Sequence, residues 1–216
     1  MKQFLVRVLH MLTGFFLFAL GVVLTISANI GYGPWEVFHV GLAYQTGLSI
    51  GIASIFAGIA LLVIVVLCKE KFGLGTVTGM VLTGLFVDLI IYIDVIPVSP
   101  NIAIGIAMLI VGLFIVSMGT YFYIRSAFGA GPRDNLMVVL TRKTKLPIGV
   151  CRGMVEVTAT LVGWLLGGMV GIGTIISAFA IGFCVQITFK VMKFDALTVK
   201  HETLKQTYDN VFHKKF

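Results

Sequence analysis

Two charged residues, Arg152 and Glu156, interrupt an apolar stretch of the length that crosses a bilayer. They are four residues apart, so in a helix they share a face and can form an ion pair. A charge at the bilayer centre costs on the order of 2.5–3.5 kcal/mol, and such residues usually mark substrate or ion pathways. We expect the pair to bind a substrate or a proton. A structural ion pair near the membrane rim, with Arg152 snorkelling outward, is the alternative.

Asp88 and Gln186 are two further polar residues inside apolar stretches, and they are separated by 98 residues. Because an internal repeat of the chain has the same spacing, they hold equivalent positions. This equivalence predicts a shared cavity that both side chains line. Hydrogen bonds between neighbouring helices are the alternative role.

A Gly-x-Gly-Pro motif followed by an acid occurs twice, at residues 31–36 and 129–134. Proline suits the first turn of a helix, and an acid there complements the positive end of the helix dipole. Each motif therefore predicts a break after a span and a short helix starting at Pro34 or Pro132. The structural residues of the motifs are Gly31, Gly33, Pro34, Gly129, Gly131 and Pro132, and the candidate binding residues beside them are Glu36, His39, Arg133 and Asp134.

The short helices have two interpretations. A re-entrant or broken helix would turn its free N–H groups toward a polar cavity, where they can hold an anionic group. A helix lying flat at the membrane surface, with Trp35 and Tyr44 as interfacial anchors, is the alternative. We expect no metal site and no cofactor, since His39 stands beside a single acid and the three cysteines (Cys68, Cys151 and Cys184) are far apart.

The composition indicates a membrane protein. Of the 216 residues 58% are hydrophobic and only 12% are charged, against about 45–50% and about 25% in soluble domains. The net charge of +7 does not predict nucleic-acid binding, because the basic residues lie in short connections and a tail between apolar runs. Six windows are long enough to span a bilayer, at approximately Leu9–Ala28, Gly51–Cys68, Thr76–Ile96, Ile102–Ile124, Gly149–Met169 and Thr174–Met192.

The distribution of basic residues predicts one orientation. With the N-terminus inside, all 16 Lys and Arg residues lie on the cytoplasmic side or at its border. The external segments 29–50, 97–101 and 170–173 contain none. By the positive-inside rule, we expect a multi-pass protein of the bacterial plasma membrane with both termini in the cytoplasm.

The chain repeats itself at a spacing of 98 residues, with the glycines, prolines and threonines of the two halves in register. Each half holds three spans, so the second half must enter the membrane from the opposite side. We therefore predict an all-α fold of two inverted three-helix repeats, residues 1–98 and 99–193. A topology of four spans per half is disfavoured, because segments 34–46 and 132–144 are too short to span a bilayer.

The segment 194–216 is Lys-rich and polar, with Leu197, His201, Leu204, Tyr208 and Val211 at helical spacing. It predicts a short amphipathic helix on the cytoplasmic leaflet, a frayed tail being the alternative. The two glycine-rich turns before Thr76 and Thr174 predict that these threonines cap the spans that follow.

Several stretches resemble a group of bacterial membrane proteins of the YczE/YyaS/YitT type. They are Gly31–Leu42, Gly129–Leu140, the Arg152 and Glu156 pair, and the glycine-rich run Leu166–Thr174. The resemblance covers most of residues 9–190. It implies a bacterial plasma-membrane protein, and it implies little chemistry beyond a link of some members to secondary-metabolite production.

Three functions are compatible with these features. The first is a small secondary transporter of a polar or anionic molecule, with Arg152 and Arg133 as anion contacts and Glu156 as ion or proton partner. The second is a substrate-binding membrane subunit of a larger transporter, and the third is a non-transporting accessory protein. We do not expect an enzyme, because no catalytic motif is present. The expected partners are the lipid bilayer, a small molecule, and either a second copy or a partner subunit.

Overall fold

A computed structural model describes residues 2–70, 72–129, 131–199, 201–204 and 206–207 of the chain. Over these ranges the secondary structure is helical, with a short 3₁₀ turn at Ala196–Thr198 and without strands. The α-helices are α1 Lys2–Ser27, α2 Pro34–Thr46, α3 Ile50–Leu67, α4 Leu74–Ile93, α5 Ile102–Arg125, α6 Pro132–Thr144, α7 Ile148–Leu165 and α8 Ile172–Val191.

Five of the described helices, α1, α3, α4, α5 and α8, are long and apolar enough to cross a membrane. A sixth candidate arises from α6 and α7, which are joined at a bend of 118°. The predicted span at Gly149–Met169 corresponds to α7. This helix is a candidate membrane span only in combination with α6, as the bent pair. The fold is therefore that of an all-α, multi-pass membrane protein.

Hydrogen bonds that involve the connections between helices identify the two ends of the bundle. At the first, which we call the N-terminal end, Arg7 Nε donates to Ser126 O at 2.8 Å. The Glu202 and Leu204 N–H groups also donate there, to Ala127 O and Phe72 O. The opposite end is defined by three bonds, Ser99 N to Ser27 O (2.8 Å), Tyr32 N to Met169 O (3.1 Å) and Gly173 N to Ile30 O (2.8 Å). Helices α1, α4, α5 and α8 run between these two ends.

Glycines bring α1 and α5 into close backbone contact. A Cβ atom on Gly14 would lie 2.9 Å from Gly119 O, and one on Gly119 would lie 2.7 Å from Gly14 O. Gly21 and Gly112 form a second pair with corresponding distances of 2.7 and 3.0 Å. Small residues permit such approach between membrane helices, where dispersion contacts hold the helices together.

The glycine-rich turns before α4 and α8 make equivalent contacts. Gly75 N donates to Phe128 O and Gly173 N donates to Ile30 O, both at 2.8 Å. Thr76 and Thr174 were predicted to be the N-caps, but the N-caps are the glycines three residues earlier. The threonine hydroxyls instead accept from the N–H groups of those glycines. A glycine fits the N-cap position because the turn packs against backbone of the other half, where a side chain would collide.

The segment after α8 returns to the N-terminal end. The Phe194 ring packs edge-on against Tyr121 and Phe189. Glu202 forms an ion pair with Arg7 at 2.7 Å. The predicted amphipathic helix lies largely outside the described residues, since Tyr208 and Val211 are not among them and nothing is described of the Leu197 side chain.

The contact between α1 and α5 predicts the effect of one added methyl group. Gly21→Ala places a Cβ 2.6 Å from Val116 N, so backbone must move, and we expect a loss of about 1–3 kcal/mol in unfolding free energy. Gly182→Ala is the control, because a Cβ there meets nothing within 4 Å. Equal unfolding curves for the two variants in detergent would contradict this packing.

Candidate functional site

A cavity of about 430 Å³ lies where the two halves of the chain meet. Residues from all eight helices line it. The charged side chains on its wall are Glu36, Arg133, Arg152 and Glu156. Two arginines and two acids therefore line one cavity, together with serine, threonine, tyrosine and histidine side chains.

The starts of α2 and α6 both lie on the cavity wall. Gly33 and Gly131 are the N-caps, with nearly identical backbone angles (φ −60°, ψ 158° and φ −63°, ψ 158°) and no side-chain cap. Each is followed by a proline, which has no N–H group. The next N–H groups of the first turn have no partner within their helix. Both Gly-x-Gly-Pro motifs thus begin a helix at the cavity, as the sequence predicted.

Arg133, Trp35 and His39 connect α6 to α2 across the cavity. The Arg133 guanidinium carbon lies 4.5 Å from the centroid of the Trp35 ring. An Arg133 nitrogen lies 3.4 Å from His39 Nε2, and His39 is buried. The Trp35 ring packs under the Arg133 guanidinium on the cavity wall, and its role as an interfacial anchor stays a prediction. Tyr44, at the other end of α2, is exposed.

Arg152 and Glu156 form the predicted ion pair on α7, with Arg152 Nε 2.8 Å from Glu156 Oε1. Both side chains line the cavity. Thr158 and Thr160, also on α7, are not part of the cavity wall, and their hydroxyls donate to the carbonyls of Met154 and Glu156 one turn earlier.

Asp88 and Gln186, which were predicted to line a shared cavity, both lie outside the wall of the cavity described above. The Asp88 carboxylate accepts from Ser49 Oγ at 2.5 Å and from Gly51 N at 2.7 Å, and so caps the start of α3. Gln186, its equivalent in the second half, is exposed on α8. Neither residue is part of the cavity wall. Asp134 belongs to α6, and nothing is described of its side chain.

Sequence reasoning missed Ser177, which is buried on the cavity wall. Its hydroxyl has no hydrogen-bond partner among the described residues. A serine within an apolar span usually indicates helix packing, and the equivalent residue in the first half is Gly79. The repeat therefore carried no signal for it.

The Asp88 contacts predict different outcomes at the two equivalent positions. Asp88→Ala removes two acceptor contacts at the start of α3, and we expect a loss of about 1–3 kcal/mol in unfolding free energy. Gln186→Ala should change it by less than about 0.5 kcal/mol, since its side chain is exposed. Chemical unfolding of both variants in detergent measures the difference, and an unchanged Asp88→Ala protein would contradict the capping role.

Residues 5–190 match a family described as a family of unknown function, DUF6198. An uncharacterized protein of Haemophilus influenzae is 33% identical over 183 residues, covering 82% of each chain. The uncharacterized membrane protein YczE of Bacillus subtilis is 32% identical, over 87% of this chain and 88% of its own.

The protein YyaS of the same organism, also uncharacterized, is 24% identical over 83% of this chain and 90% of its own. No solved structure matches the chain. The matches to YczE and YyaS confirm the resemblance inferred from the paired motifs. The chain belongs to the DUF6198 family.

Proposed function

We propose that this protein is a small secondary transporter of a polar or anionic molecule. The observation that carries the proposal is a difference between the two halves at equivalent helix pairs beside the cavity. In the first half α3 and α4 are closed on each other, and in the second half α7 and α8 are apart. A cavity that is closed at one such pair and open at the other has the one-sided access that a transporter requires.

The surroundings of four glycines show that α3 contacts α4 and that α7 is separated from α8. A Cβ on Gly84 would lie 2.6 Å from Gly51 O, so α3 and α4 touch through their backbones. The equivalent residues are Gly149 on α7 and Gly182 on α8, and a Cβ on either meets nothing within 4 Å. The second half therefore carries the same small residues without the contact that they permit.

The paired glycine contacts support an inverted arrangement of residues 1–98 and 99–193. Gly14 contacts Gly119, and Gly21 contacts Gly112. In the repeat, Gly112 is the equivalent of Gly14, and Gly21 is the equivalent of Gly119. The repeat therefore converts one contact into the other. Two antiparallel helices related in this way fit a two-fold axis in the membrane plane. On this proposal the short helices α2 and α6 are re-entrant, and their N-termini meet at the cavity.

In this mechanism the two halves exchange their conformations. α7 closes on α8 through Gly149 and Gly182, while α3 leaves α4. The cavity then becomes accessible from the other side with its polar groups in place. Arg133 and the Arg152–Glu156 pair would contact the substrate, since they bring charge to a space enclosed by apolar helices.

The distribution of basic residues supports a plasma-membrane location with both chain ends in the cytoplasm. The N-terminal end of the bundle, which carries Arg7, is then the cytoplasmic end, and segments 97–101 and 170–173 face outward. Reporter fusions to the two chain ends would overturn this orientation if they fell in different compartments.

Two other functions use the same cavity. A substrate-binding subunit of a larger transporter would co-purify with an ATPase. A non-transporting accessory protein, linked to secondary-metabolite production in this group, would keep its function after Glu156→Ala and Arg152→Ala. Neither accounts for the unused packing residues Gly149 and Gly182. We do not propose an enzymatic activity.

Uptake into proteoliposomes tests the proposal with a panel of labelled organic acids, amino acids and phosphate esters. For a transported compound, Arg152→Gln and Glu156→Gln should each lower the rate about tenfold or more, because each leaves the other charge unpaired in the cavity. The matched control is Arg142→Gln, which removes an ion pair with Glu70 outside the cavity. Uptake that is absent across the panel would contradict transport.

A bulky residue at position 182 tests the closure of α7 on α8. Gly182→Leu should leave the unfolding free energy nearly unchanged, since the position faces open space. It should abolish uptake, because leucine blocks the approach of Gly149. Phe183→Leu is the control, since Phe183 and its equivalent Leu85 are both exposed. Normal uptake by Gly182→Leu would show that this closure is not required.

A further inference from the structure

Ser177 differs from most hydroxyl residues of the described helices. Those residues donate to the carbonyl three or four residues earlier, as do Thr25, Ser54, Thr78, Ser117, Thr120, Thr158 and Thr160. Ser177 is 3% exposed, and its Oγ has no partner among the described residues. A buried hydroxyl without a partner costs about 1–3 kcal/mol, so its place on a cavity wall points to a ligand.

Glu36, in the first turn of α2, lies at the same corner of the cavity. The Glu36 and Ser177 side chains both lie next to Gly33. A Cβ atom placed on Gly33 would touch the Glu36 carboxylate and lie 3.8 Å from Ser177 Cβ. Glu36 forms no ion pair or hydrogen bond with a described residue. The other acid of the cavity, Glu156, is already paired with Arg152. A carboxylate and a hydroxyl thus lack partners side by side.

The chemistry of this corner selects a cation. One carboxylate and one hydroxyl oxygen suit an ammonium group, which has three N–H donors, or a sodium ion with oxygen ligands. Calcium and magnesium are disfavoured because the single carboxylate of this corner would balance only half of a divalent charge. An anion is disfavoured, because the Glu36 carboxylate already lies at the positive end of the α2 dipole.

We propose that Glu36 and Ser177 bind a monovalent cation, either the ammonium group of the substrate or a sodium ion that drives its transport. This assignment rests on the proposed transport function and adds a cationic site to it. Arg133, at the start of α6, lines the same cavity.

Thermal unfolding of the purified full chain in nanodiscs tests the site without a transport assay. Sodium chloride and ethylammonium chloride are titrated separately at constant ionic strength against N-methyl-D-glucamine chloride. We expect saturable stabilisation by one of them, and the responding cation identifies the source. Glu36→Gln and Ser177→Ala should each weaken the apparent affinity about tenfold or more, the effect of losing a hydrogen bond to a charged group.

Ser54→Ala is the matched control, because Ser54 lines the same cavity but already donates to Gly51 O at 2.7 Å. Its cation response should equal that of the parent. Without added cation, Ser177→Ala should unfold no more easily than the parent, since its hydroxyl has no partner to lose. Stabilisation by neither cation, or an unchanged response of Glu36→Gln, would overturn the site. A cation response without any uptake would instead refute transport and leave the site intact.

Discussion

The backbone contact between α1 and α5 is the constraint on which the bundle depends. Lipid tails are as apolar as leucine, so the hydrophobic effect gives membrane helices no reason to associate, and close packing must hold them together. Gly14 with Gly119 and Gly21 with Gly112 provide that contact at two places along one crossing. Helix α4 packs on α1 and helix α8 packs on α5. The turns before α4 and α8 also donate backbone hydrogen bonds to the connections that follow α5 and α1.

The second constraint is that backbone polar groups must be satisfied in the membrane. Irregular backbone is tolerated there only where protein buries it or where it lines a water-filled cavity. In the proposed re-entrant arrangement, the Gly-x-Gly-Pro breaks before α2 and α6 meet this condition, because both lie on the wall of one cavity. Arg133 lies between them, over the Trp35 ring and beside His39, and so spans the interface of the halves. Helix breaks and charged side chains therefore occupy the same place for one physical reason.

The two halves differ where their sequences are matched. Asp88 caps α3 and accompanies the contact of Gly51 with Gly84. In the second half the acid is replaced by Gln186, which is exposed, and the equivalent glycines do not touch. In the first half, α3 is capped by Asp88 and packs on α4. In the second half, α7 has no such cap and is separated from α8. The same repeated sequence pattern therefore adopts two different packings. In the proposed transport mechanism, this difference opens the cavity to one side of the membrane.

The sequence by itself determined the helical membrane class, the starts of α2 and α6, and the Arg152–Glu156 pair. These follow from local physics, namely apolar length, glycine and proline geometry, and the four-residue spacing along one helix face. It could not determine which polar groups share a space, because that depends on how separate helices approach each other. Tertiary packing therefore removed Asp88 and Gln186 from the site, placed Trp35 under Arg133, and turned Ser177 toward the cavity without a partner.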